Sequence, residues 1–188
     1  MAQTAAIYKV ALQIADIDRH YYQDHALTIA RHPSETDERM MVRILAFARH
    51  ASENLSVAKG PLGAQHDAPN EPDLWQKDLT GAVDLWIEVG LPDERSIRQA
   101  CGRAKQVVIY TYGGQKADRW WEQNRAGLAR SKNLTVINIS PDTARALAAL
   151  ARRDLHLNYT VQDGDTVIGD GEKTVTVAMT ILKEAQAA

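Results

Sequence analysis

Two acidic residues on adjacent strands are the groups in this sequence best placed to do chemistry. Asp73–Asp78 and Val83–Val89 read as strands joined through a Thr80-Gly81 turn. With Leu79 facing Ala82, cross-strand partner numbers sum to 161. Asp73 then faces Glu88, Trp75 faces Trp86 and Lys77 faces Asp84. All six share one face by the period of two, and Leu74, Gln76, Leu85, Ile87 and Val89 form the other. Trp–Trp and Lys–Asp are favourable neighbours, but two carboxylates with Cβ atoms about 5 Å apart repel. Such a pair calls for a divalent cation or a shared proton, and hard oxygen ligands suit magnesium or manganese. A second register competes. A three-residue turn with Gly81 left-handed changes the sum to 160, sets Asp73 against Ile87 and dissolves the pair. The first register is preferred because it also explains the Trp and Lys–Asp pairs.

These residues need a scaffold, and the pattern supplies one. Ile7–Ile14 and His20–Ala30 predict an N-terminal hairpin broken at Asp16-Ile17-Asp18. Ser34, with Asp37 three residues on, predicts the cap of a helix that ends near Glu53 and carries the apolar stripe Met40, Ile44, Phe47, Ala51. Leu55–Lys59 reads as a strand, and Gly60–Pro72 as a long aperiodic loop of the kind that carries function or stays disordered. After the Asp73–Val89 hairpin come a helix from Pro92 to Ala104, a strand at Val107–Tyr112, a helix at Lys116–Ala129 and a strand at Leu134–Ile139. A helix over residues 142–152 follows, then strands at Leu155–Val161, Thr166–Ile168 and Thr174–Leu182. The pattern is mixed α/β around one sheet or two. With no repeat, linker or low-complexity tract, residues 1–188 read as one domain.

Composition narrows the classes but names no reaction. The 188 residues, 45% hydrophobic and 24% charged, suit one soluble domain with a substantial core. No apolar run reaches the roughly 18 residues of a membrane span, and Met1–Ala6 lacks a signal-peptide pattern. A single cysteine excludes an intrachain disulfide framework, and a cytoplasmic location is the expectation. The net charge of -2 excludes a general polycation, yet residues 91–153 carry 12 Lys/Arg against 5 Asp/Glu. That segment can hold DNA or RNA, or can simply decorate solvated helix faces. Trp120-Trp121 reads mainly as core or interface, Cys101 as a small buried residue, and Glu38 as a complement to its helix dipole. Neither Gly113-Gly114-Gln115-Lys116 nor Gly171-Glu172-Lys173-Thr174 satisfies a phosphate-loop pattern.

Several longer strings carry a resemblance. Pro72-Asp73, the hairpin and Glu88-Val89-Gly90 resemble the PD-(D/E)xK nuclease signature. His32-Pro33-Ser34-Glu35-Thr36 with Arg39-Met40-Met41-Val42-Arg43 and Leu85–Gly90 are similar to the YaeQ family. So are Pro92-Asp93-Glu94 through Ala100-Cys101-Gly102-Arg103, and Tyr110-Thr111-Tyr112-Gly113. The resemblance implies a restriction-endonuclease-like αβββαβ core, with extra N- and C-terminal strands able to form a second sheet. It implies Mg2+ or Mn2+ held by Asp73, Glu88 and Glu38, with Glu35 as a substitute for Glu38, and hydrolysis of a DNA or RNA phosphodiester. One departure stands out: Gly90 occupies the position of the motif's lysine. Lys59, Arg95, Arg98 or Gln99 would have to replace it. Without a replacement, the implied function is a non-cutting nucleic-acid- or protein-binding regulator, for example in transcription.

Overall fold

The computed structural model describes residues 5–57 and 71–187, so Lys59 and most of the expected Gly60–Pro72 loop lie outside the described residues. Alternation dictates the first sheet. In β1 (Ala6–Asp16) every even residue from Tyr8 to Asp16 is buried. β1 pairs antiparallel with β2 (Tyr21–Arg31) along all eleven residues, as the N-terminal hairpin expectation requires. It also pairs parallel with β8 (Asp154–Gln162). β9 (Asp165–Gly169) and β10 (Thr174–Thr176) complete the order β10-β9-β8-β1-β2.

The second sheet runs β11-β7-β6-β5-β4-β3. Its members are β3 (Leu55–Val57), β4 (Leu74–Lys77), β5 (Val83–Val89), β6 (Ala104–Thr111), β7 (Leu134–Ile139) and β11 (Met179–Lys183). β5, β6 and β7 are mutually parallel and read as near-continuous apolar runs, because both faces of that sheet are covered. α1 (Asp37–His50) and α4 (Pro141–Ala148) lie between the two sheets. Met40 through Ala48 are all buried in α1, the signature of a helix packed on every side. α2 (Glu94–Arg103) and α3 (Gln115–Leu128) cover the outer face, where Trp86, Ile97, Val107, Trp120 and Leu134 form a second core. The fold is therefore mixed α/β, with two sheets and four helices among the described residues.

Three local expectations are corrected. Thr36, not Ser34, caps α1, its hydroxyl accepting from Arg39 N–H at 3.1 Å, while Ser34 pairs with His32. The C-terminal Thr174–Leu182 strand divides between sheets. Val177 N–H donates to Thr166 O at 2.9 Å and Ala178 N–H to Thr143 Oγ1 at 3.0 Å, which turns the chain from β10 into β11. The β4–β5 hairpin uses both candidate registers. Leu74↔Ile87, Trp75↔Trp86 and Gln76↔Leu85 hold the 161 sum, and a shift then sets Lys77 against Val83.

The cause of that shift is the turn. Gly81 has φ +87, and Asp78 N–H donates to Ala82 O at 2.9 Å, closing a three-residue loop. Asp84 is left as the extra residue of a bulge. The expected Lys77–Asp84 pair does not form: Asp84 pairs with Lys105 at 2.6 Å, and the Lys77 ammonium lies 3.5 Å over the Trp75 ring.

Candidate functional site

The 161 register holds from Gln76↔Leu85 to Leu74↔Ile87, where the ladder ends; Asp73 lies just outside it, near enough to Glu88 for its charge to raise the Glu88 pKa. Asp73 stands in a bend just before β4, its N–H donating to Ile87 O at 3.0 Å. Its carboxylate turns across the sheet end and accepts from Val89 N–H at 2.7 Å. This end of the sheet is where the parallel strands β5 and β6 terminate, the place where open α/β sheets leave a crevice.

A positive group does compensate the carboxylates, and it comes from the protein. Arg39, on the first turns of α1, places Nη2 2.9 and 3.0 Å from the two oxygens of Asp73 and 3.1 Å from Val89 O. Its Nη1 donates to Glu35 Oε1 at 2.9 Å, and Arg43 Nη2 donates to Glu35 Oε2 at 2.8 Å. The carboxylates are nearly sealed: side-chain exposure is 1% for Glu35 and 8% for Asp73, against 20% for Arg39. Burial alone would lower the guanidinium's pKa, but Asp73 and Glu35 together hold it above its ordinary value.

Glu88 is wired differently. Burial raises its pKa most, opposed by the Trp86 Nε1–H that donates to its Oε1 at 2.8 Å; the Asp73 charge raises it further and Arg39 lowers it. Net, Glu88 titrates above the usual carboxylate range. Of the two means of tolerating paired carboxylates, a counter-ion serves Asp73 and easier protonation serves Glu88.

The other expected site residues scatter. Glu38 is half-buried on α1; its charge is felt by Tyr112, and among the described residues no hydrogen bond or ion pair joins it to Asp73 or Glu88. Glu35, its proposed substitute, is the helix-entry carboxylate that joins the network. Arg95, Arg98 and Gln99 line an open surface depression with Glu94, and Arg98 pairs with Glu94 at 2.5 Å. None of them makes a hydrogen bond or ion pair to Asp73 or Glu88 among the described residues. Gly90 has φ +128, so a lysine there would be strained even though a Cβ meets nothing within 4 Å. Trp86 is buried, and Trp120 is buried with its N–H on Pro92 O at 2.8 Å. Cys101 is half-buried, and burial pushes its thiol pKa up, away from reactivity.

Sequence reasoning missed Arg39 and Arg43 as site residues. The signal was present: Glu35, Arg39 and Arg43 recur at four-residue spacing, and Arg43 interrupts an apolar run. A divalent ion does not fit the donor set as it stands. Both oxygens of Asp73 and both of Glu35 already accept from guanidinium groups. No group of three or more His, Cys, Asp or Glu side chains is arranged to hold a metal among the described residues.

The likeness to known proteins spans almost the whole chain. The family model described as YaeQ protein matches residues 1–179. "Uncharacterized protein YaeQ" of Escherichia coli (strain K12) is 40% identical over 180 residues, covering 96% of this chain and 97% of that protein. The protein of the same name from Salmonella typhi is 39% identical over 180 residues, with the same coverage. The crystal structure of YaeQ protein from Xanthomonas axonopodis pv. citri superposes with TM-score 0.89 at 41% identity, over 98% of this chain and 100% of that one. That from Pseudomonas syringae gives 0.88 at 30% identity, over 97% and 98%. By the family match and by relatives about 40% identical along nearly their whole length, this chain belongs to the YaeQ family.

Proposed function

We propose that this YaeQ-family chain is a PD-(D/E)xK-type, restriction-endonuclease-like fold that binds nucleic acid as a regulator and does not hydrolyse it. The element order α1-β3-β4-β5-α2-β6 supports the fold reading. One observation carries the loss of hydrolysis: the Arg39 guanidinium bridges Asp73 and Glu35 where a metal-dependent nuclease needs open carboxylate oxygens. Gly90 adds to it by withholding the ammonium that steadies an attacking water. Nucleic acid is favoured as the ligand by the basic residues on the helices that cover the outer face of the second sheet. Arg95 and Arg98 flank the depression on α2, and Lys116, Arg119, Arg125, Arg130 and Lys132 are exposed on α3 and the turn after it. Phosphate contacts of this kind need no metal.

The test combines binding and cleavage on the same preparations. Fluorescence anisotropy with labelled single- and double-stranded DNA and RNA should show binding that weakens steeply between about 50 and 200 mM salt. Changing Arg95 and Arg98 together to Ala should reduce affinity across sequences and shallow the salt slope by about two contacts. Incubation with magnesium or manganese should yield no product. Manganese-dependent cleavage that disappears in Asp73→Ala would establish the hydrolytic alternative instead, with Asp73, Glu88 and Glu38 as candidate ligands. Absence of salt-dependent binding would overturn the nucleic-acid reading.

A further inference from the structure

Four strand edges close the two sheets, and they are not alike. β3 and β10 are three residues long, and β11 is five residues with a register shift between Ile181 and Lys183. Short and bulged edges resist pairing with other chains. β2 has neither protection: it is eleven residues long, paired without a shift, and holds no proline, glycine or lysine. Among the described residues no strand pairs with its outer edge.

The backbone direction of that edge follows from its neighbours. Lys9 N–H donates to Arg153 O and Ile17 N–H to Val161 O, both at 2.9 Å, so the odd residues of β1 point toward β8. Its even residues point toward β2, where Tyr8 meets Ile29, Val10 meets Leu27 and Leu12 meets His25. The odd residues of β2 are thus spent on β1. Tyr22, Asp24, Ala26, Thr28 and Ala30 aim their N–H and C=O groups outward, and all five are exposed.

We infer that β2 is a self-pairing edge, joining antiparallel to the β2 of a second copy about a two-fold axis at Ala26. That register sets Tyr22 against Ala30, Asp24 against Thr28 and Ala26 against itself. It is the arrangement that uses all five outward-facing residues in reciprocal hydrogen-bonded pairs. Charge agrees with it. Asp24 is the one carboxylate of β2 and Arg31 its one Lys or Arg, so in this register Asp24 meets Thr28 and Arg31 meets Tyr21, and no like charges oppose. At the centre of the seam the exposed side chains are small, Ala26 and Thr28 with Ala11 on β1, and the large exposed Tyr22 falls at its ends opposite Ala30, so two sheets can run on as one.

Sedimentation equilibrium of the full chain is expected to show a dimer that dissociates on dilution. Ala26→Pro removes an outward N–H at no cost to the β1 pairing, so far-UV circular dichroism and Tm should stay while dimer dissociation rises by about tenfold or more. In a Cys101→Ser background, Ala26→Cys should form a disulfide-linked dimer on mild oxidation, and Gln13→Cys, one strand inward, should not. A parent that stays monomeric at roughly 100 μM overturns the proposal. So does equal cross-linking at both positions, which remains readable even if the proline variant fails to fold.

Discussion

Arg39 and Glu88 divide the electrostatic problem of this site between them, and their differing solutions predict differing responses to mutation. Arg39 meets Asp73 with one nitrogen and Glu35 with the other, a fork that a lysine ammonium cannot reproduce. Glu88 keeps an indole N–H at 2.8 Å and titrates high because of burial and the nearby Asp73 charge. A carboxyl whose folded pKa is raised binds its proton more tightly folded than unfolded. The charged form therefore costs stability at pH values above the raised folded pKa, and the cost fades as pH falls toward the ordinary carboxylate value. Glu88→Gln keeps an oxygen for Trp86 and removes the charge. Its Tm at pH 8 should exceed that of the parent, and the two should converge near pH 4. A lower Tm for the variant at pH 8 would mean that attraction to Arg39 outweighs burial.

At the scale of elements, the Arg39 fork fastens α1 to the β4–β5 hairpin across 34 residues of sequence. Arg39→Ala strands Asp73 as a buried carboxylate without its counter-ion and leaves Glu35 to Arg43 alone, and should cost about 3–5 kcal/mol in urea unfolding at pH 7. Adding Asp73→Ala should recover part of that loss, because the orphaned charge is removed; strictly additive losses would show that the two residues are not coupled. The same long reach explains what sequence could and could not reveal. The Trp75–Trp86 register was legible because the two indoles suit one another across the strands; the expected Asp73–Glu88 pair falls beyond the last ladder pair, where Asp73 N–H meets Ile87 O instead. The bulge was not legible, because Gly81 and the Trp pair each favour a different register and the strand accommodates both. The strand Thr174–Leu182 looks continuous because its residues all suit strands. The partners that divide it, Thr143 and Thr166, belong to α4 and β9. Arg39 was legible as a residue in a helix but not as a counter-ion, since nothing local to residues 35–43 points to Asp73.

On the scale of the whole molecule, two sheets enclose α1, and the enclosure has a thermodynamic consequence at the helix's far end. His50 closes α1 between the sheets, with Nε2 2.8 Å from the Tyr110 hydroxyl and its ring edge-on to the Tyr110 ring at 5.8 Å. Burial, reinforced by the positive charges of Arg49 and Arg19, lowers its pKa to about 3. Unfolded, the same imidazole titrates near 6.5, so between those values the unfolded chain binds a proton that the folded chain refuses. Stability contributed by neutral His50 is full above pH 6.5 and drains away as pH falls toward 3, by about 2 kcal/mol at pH 5. His25, also held low by burial, adds in the same direction. Urea unfolding at pH 7 and pH 5 should show this loss in the parent, and His50→Gln should flatten most of it while lowering stability at pH 7. Because every residue from Met40 to Ala48 is buried between the layers, protonating His50 cannot be relieved by fraying one turn. The acid transition should therefore appear in both sheets together, with amides of β1 and β6 losing exchange protection at the same pH. Earlier loss in β6 alone would show that the second sheet opens without the first.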